Sequence, residues 1–183
     1  VTDKKSIVKV FGTKELKEAK MTISEIVSTL SKPRQLELAI QFVQKAIIIW
    51  DQYAAANKLD YIDTVVGMSH EVKANLLERM LEVAAKELKE PGTHAAELKA
   101  LDDEYTDPIV ALQDNDWELP YEVERIFYAS FNLLEHLNGK EMTAFKEETI
   151  YVCINQAVDA ILTKELMSQS EINAWVTQFG YRA

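Results

Sequence analysis

The sequence has one cysteine, five glycines and four prolines in 183 residues. A lone thiol builds no internal disulfide framework and agrees with a reducing compartment. Average usage would place about 13 glycines and about 9 prolines in a chain of this length. Turns are therefore few and regular elements long. No segment approaches the roughly 18 consecutive apolar residues of a membrane-spanning helix, so no membrane association is expected. Bases are scarce too. Lys and Arg number 20 against 30 Asp and Glu, a formal net charge of −10. Phosphate backbones call for a basic surface, so no nucleic-acid partner is expected. The apolar fraction of 48% is too high for a disordered chain. These exclusions leave a soluble globular protein of cytoplasmic type, read as a single domain over residues 1–183. The first twenty residues carry no apolar core of a signal peptide. The chain starts at Val1 and not at Met, which leaves open a segment removed upstream.

What is there is helical periodicity. Ile7 to Phe11, closed by Gly12, reads as a short strand or an extended arm within 1–12. Leu16, Ala19, Ile23, Ile26, Val27 and Leu30 then recur at helical steps. Pro33 stands where a first-turn proline belongs. Behind it, Leu36, Ile40, Val43, Ile47, Trp50 and Ala54 form one stripe, and Phe42, Ala46, Ile49 and Tyr53 another. So wide an apolar arc places this helix at the centre of a bundle. A shorter segment runs from Leu59 to Val66, and Ser69 is read as the N-cap of the helix ended by Pro91-Gly92. A brief helix is expected over 93–101, and another turn or two over 108–113. Pro120 opens a strong helix that stops at Asn138-Gly139. A long helix is expected over 141–164, although Ile150 to Ile154 has strand propensity. Ser168-Gln169-Ser170-Glu171 reads as a capping box before the last helix. The expected fold is all-α, a bundle of about seven helices joined by short loops.

The charge is unevenly placed. Residues 1–20 hold six lysines against three acids, a net of +3. Residues 102–124 hold nine acids and no base: Asp102, Asp103, Glu104, Asp107, Asp114, Asp116, Glu118, Glu122 and Glu124. Tyr105, Trp117 and Tyr121 are interleaved with them. Carboxylates supply steering and paired hydrogen bonds, and aromatics supply anchors, so this stretch is a candidate contact surface for a basic protein. The competing reading is a solvated loop, with Glu118 and Glu122 stabilising the N-terminus of the following helix. Trp117 lies outside any apolar stripe, so its exposure is an open question.

Catalytic patterns are incomplete. His70, His94 and His136 do not pair at helical spacing. His70-Glu71 opens like a zinc-protease helix motif, but Ala occupies position 74. Asp114-x-Asp116-x-Glu118 opens like a calcium loop but has Leu119 and Arg125 where Gly and Glu are required. Cys153 sits among apolar residues and reads as an inert buried thiol. No glycine-rich phosphate loop and no Gly-x-Ser-x-Gly elbow is present. One partial resemblance is to the all-α nucleotide pyrophosphohydrolases, whose Glu-Glu-x-x-Glu and Glu-x-x-Asp helices hold Mg²⁺. Here the match is Lys86-Glu87-Leu88-Lys89-Glu90 followed by Glu104-Tyr105-Thr106-Asp107, with Lys86 in place of the first glutamate.

The expectation is therefore binding and not catalysis, with no metal and no cofactor. A small acidic helical protein without a catalytic constellation is similar, at the level of class, to bacterial immunity proteins and antitoxins that neutralise basic nuclease-like toxins. The partner-binding residues are expected to be Trp117, Tyr121 and the nine acids of 102–124. The alternatives are the Mg²⁺-dependent hydrolase and a helical scaffold or homo-oligomer. The sequence sets neither the oligomeric state nor the partner's identity.

Overall fold

The structure, a computed structural model, describes residues 23–65, 67–140 and 148–181. The expected arm over 1–12, the first part of the helix entering at Leu16, and residues 141–147 lie outside the described residues. Within them the chain is all-α apart from one small hairpin. Helical residues 23–29 form α1. Then follow α2 (Lys32–Ala56), β1 (Asp60–Asp63), β2 (Met68–Glu71), α3 (Leu76–Lys89), α4 (Ala95–Gln113), α5 (Tyr121–Leu137), α6 (Thr149–Thr163) and α7 (Gln169–Tyr181).

The wide apolar arc of α2 has its expected consequence. With Pro33 in its first turn, α2 packs on α3, α5 and α6 and buries Leu36, Ile40, Phe42, Val43, Ala46, Ile49 and Trp50. Helix α5 lies along α6, and α3 and α4 flank α5. Ile150 to Ile154 is helical despite its strand propensity. Ile150, Cys153, Ile154, Ala157, Val158 and Ile161 face inward at helical steps, and core burial outweighs propensity. Helix α7 closes the bundle with the Trp175 ring edge-on to Phe42 at 4.7 Å. The capping box is present, with the Ser168 backbone N–H donating to Glu171 Oε2 at 2.7 Å and the Glu171 N–H returning to Ser168 Oγ at 3.3 Å.

Two expectations are corrected. The short segment read over Leu59 to Val66 and the helix read as opening at Ser69 are replaced by a hairpin over residues 59–72. Asp60 to Asp63 pairs antiparallel with Glu71 to Met68, and the Val72 N–H donates to the Leu59 carbonyl at 2.8 Å. Leu59 and Tyr61 are buried at a period of two, and Val72, opposite Leu59, is buried with them. Ser69 is thus a strand residue, and Asn75 is the N-cap of α3. The second correction concerns Pro108. It lies inside α4, which runs unbroken from Ala95 to Gln113. An interior proline costs about 3 kcal/mol. Leu101, Tyr105, Pro108, Ile109 and Leu112 are all buried at helical steps, and their burial offsets that cost.

Three helices end in the same way. After α4, α5 and α6, the residue beyond the C-cap has positive φ: Asn115 (62°), Gly139 (70°) and Glu165 (55°). In each case the next N–H reaches back to the carbonyl five residues earlier: Asp116 to Ala111 at 2.8 Å, Lys140 to Glu135 at 2.9 Å and Leu166 to Ile161 at 3.0 Å. These are Schellman closures, and the first of them shapes the candidate site.

Candidate functional site

The acidic stretch divides into two groups by its partners. At its ends the carboxylates are matched within the fold. Asp102 accepts from Lys140 Nζ at 3.0 Å, and Asp103 from Lys99 Nζ at 3.0 Å. Glu104 takes both guanidinium nitrogens of Arg79 at 2.8 Å, with Lys73 Nζ at 3.1 Å. The Arg79 guanidinium, then Lys73, hold the Glu104 carboxyl below its ordinary range against the opposing effect of burial. Glu122 lies 3.5 Å from Lys164 Nζ, and Glu124 lies 3.9 Å from Arg125. Both glutamates also stand in the first turn of α5, where the helix dipole favours anions.

The middle group differs. Among the described residues Asp107, Asp114 and Glu118 are exposed and have no ion-pair partner. Asp114 is the C-cap of α4, whose last turn contains no base. An anion at that end opposes the helix dipole, at about 0.3–1 kcal/mol. A helix-stabilising role therefore accounts for Glu122 and Glu124 but not for Asp114.

Trp117 does not serve as a surface anchor. It is only 6% exposed. Its ring stands edge-on to Trp50 at 6.5 Å and to Phe127 at 5.4 Å, and lies against Tyr61 at 5.7 Å. The cause is local: the Schellman closure at Asn115 reverses the chain, and the Trp117 N–H joins Asp116 on the Ala111 carbonyl at 3.1 Å. The indole is thereby turned inward. Tyr105 is likewise buried, its hydroxyl 2.5 Å from Ser130 Oγ. Tyr121 remains exposed, with the Arg125 guanidinium over its ring at 4.7 Å.

The hairpin joins this site. Asp116 accepts from the Thr64 hydroxyl at 2.8 Å and from the Thr64 N–H at 3.2 Å. On its inner side the hairpin faces α4 across a cleft of about 190 Å³, lined by Tyr61, His70, Asp103, Glu104, Asp107 and Pro108 among others. The Tyr61 and His70 rings are stacked at 5.3 Å. Burial, then the Asp107 and Asp63 carboxylates, push the Tyr61 hydroxyl up to about 12. Sequence reasoning missed the hairpin's part in the site. Its signal was the alternation of Leu59 and Tyr61 running into an apolar turn.

The residues of the hydrolase resemblance have other roles. Glu87 is buried and accepts from the N–H groups of Gly92 at 2.7 Å and His94 at 2.8 Å, which fastens the loop between α3 and α4. Glu104 is held by Arg79. Among the described residues no three His, Cys, Asp or Glu side chains are gathered as a metal site would need. Cys153 is fully buried, and burial pushes its thiol up. No helix among the described residues is long and apolar enough to cross a membrane. Comparison with known proteins finds no matching family model, no matching curated protein and no matching solved structure.

Proposed function

We propose that this protein binds a basic protein partner through the face that carries Asp107, Asp114, Asp116 and Glu118. The class it fits is an inhibitor of bacterial immunity or antitoxin type, acting on a nuclease-like toxin. The observation that supports this reading is the set of carboxylates along the C-terminal half of α4 and just beyond it that have no counter-ion among the described residues, one of them against the local helix dipole. Such a set favours association with a cationic surface and accelerates it by steering. A nuclease cleft, positive because it must hold phosphates, is a surface of that kind. Asp102, Asp103, Glu104, Glu122 and Glu124 then frame the site, with their charge spent inside the fold. Trp117 supports the face from within.

The test is kinetic. A partner is isolated by affinity capture, identified by mass spectrometry, and its association measured by stopped flow. The expected result is a one-to-one complex with a basic protein and an on-rate that falls steeply with salt. Reversing Asp114, Asp116 and Glu118 to Lys should slow association by about tenfold or more. An on-rate indifferent to these reversals would reject the face. Mg²⁺-dependent hydrolysis has no comparable support, since Glu87 and Glu104 are engaged by their own chain.

A further inference from the structure

We propose that the tip of the hairpin, through Ile62 in β1, Val65 in the turn and Met68 in β2, is the apolar anchor of the same interface. This proposal rests on the basic-partner reading above. Among the described residues seven large apolar side chains are exposed, and three of them fall within residues 62–68. Val65 is 90% exposed, and Ile62 and Met68 are each 59% exposed. Single exposed apolar residues are ordinary, but here Ile62 near the end of β1 and Met68 at the start of β2 lie on opposite faces, with Val65 in the turn, so apolar surface surrounds the hairpin tip, and such a group marks an interaction site.

The fold does not require these residues to be apolar. The hairpin is attached through its buried residues, Leu59, Tyr61 and Val72. Hairpin turns ordinarily carry Asn, Asp, Gly or Ser. Here the sequence between the strands is Thr64-Val65-Val66-Gly67. A local rule broken without a structural gain is the mark of a functional position.

The turn is also held in place. Asp63 accepts from the Val65 N–H through Oδ1 at 2.8 Å and from the Gly67 N–H through its carbonyl at 2.7 Å. Gly67 takes φ +68°, a conformation glycine tolerates. The two hydrogen bonds from Thr64 to Asp116 tie the turn to the acidic loop. An anchor ordered before binding loses less entropy on docking. Trp117, expected as the anchor from sequence, is unavailable, and the hairpin supplies apolar surface beside the same carboxylates.

Charge selects the occupant. Asp116 touches the turn, Asp114 and Glu118 share its loop, and Asp107 acts on Tyr61 of the same hairpin. A second copy of this chain, docked by the same face, would set its own Asp107, Asp114, Asp116 and Glu118 against these carboxylates. An anionic lipid surface would be repelled for the same reason. A basic protein with apolar residues among its Lys and Arg fits both halves of the surface.

The experiment uses the whole chain and three synthetic peptides. One is oligolysine, one alternates lysine and leucine at equal charge, and one alternates glutamine and leucine. Affinity is read by calorimetry, and docking by the methyl resonances of Ile62, Val65 and Met68. The lysine–leucine peptide should bind about tenfold tighter than oligolysine and shift those methyls. I62S/V65S/M68S should remove that advantage and leave oligolysine binding unchanged. V65S alone, at the most exposed position, gives the same test with the fold secure. D107N/D114N/E118Q should weaken both lysine peptides. Equal affinities with the methyls unmoved would overturn the anchor and leave the basic-partner reading standing. Failure of both lysine peptides to bind would overturn that reading and the anchor with it. Tip binding by the glutamine–leucine peptide as tight as by the lysine one would overturn the basic occupant. Self-association of the wild type that V65S abolishes would identify a second copy instead.

Discussion

At the scale of single residues, Trp117 shows where sequence reasoning ended. Its neighbours are Asp116 and Glu118, and no apolar stripe includes it. Burial of a helical residue is legible from period; burial of a residue just past a helix depends on how the chain reverses. Asn115 sets that reversal, and a positive φ at an asparagine is only a preference in the sequence. Trp117→Ala should therefore destabilise the protein by about 3–5 kcal/mol, the usual cost of emptying a buried aromatic site. Urea denaturation checks this, and a loss under about 0.5 kcal/mol would mean that the indole is a surface residue after all. The acids beside it were legible as a cluster. Their division into matched and unmatched carboxylates was not, because Arg79, Lys140 and Lys164 come from distant parts of the chain.

At the scale of elements, the long helices were legible and the interruptions were not. The stripes of α2, the stop at Asn138-Gly139 and the Ser168 capping box follow from local chemistry. Helix α4 does not, since Pro108 and the preceding residue both disfavour helix. Only the buried face running from Leu101 to Leu112 keeps it whole, and that face needs α5 to exist. The hairpin was obscured because its strands have only four residues each and its turn is apolar. The end of α6 carries an unrelieved local cost. Glu165 holds φ 55°, where a side chain costs about 1–2 kcal/mol that glycine avoids. Glu165→Gly should raise stability by about 0.5–1 kcal/mol once the added freedom of the unfolded chain is subtracted. Thermal denaturation at matched pH measures it, and a lower Tm would show that the Glu165 side chain contributes more than its backbone costs.

At the scale of the whole molecule, the all-α class and the central place of α2 were readable from composition and period. The net charge of −10 was readable too, but its meaning depends on which acids the fold neutralises. Acid titration separates them. The Gly92 N–H first, then the His94 N–H and ring, hold Glu87 below its ordinary value of 4.5, and Arg79 holds Glu104 below it. A carboxylate with a lowered folded pKa stabilises the fold fully above the unfolded value. That stabilisation is lost as pH falls through the folded one. Stability should thus decline as pH passes down through and below about 4.5. The decline should be shallower in Glu87→Gln, which has already lost that contribution at neutral pH. Equal slopes of denaturation midpoint against pH in the two proteins would reject this assignment.

The burial of Trp117 has a consequence for observing the molecule at work. One peptide bond separates its indole from Asp116, which holds the hairpin turn, and another separates it from Glu118. Its ring stands against Trp50, which donates its own indole N–H to the Ala74 carbonyl at 2.7 Å. A shift of the acidic loop therefore moves one indole relative to another in a buried, aromatic surrounding. The loop carries a built-in fluorophore whose emission follows its position without any label.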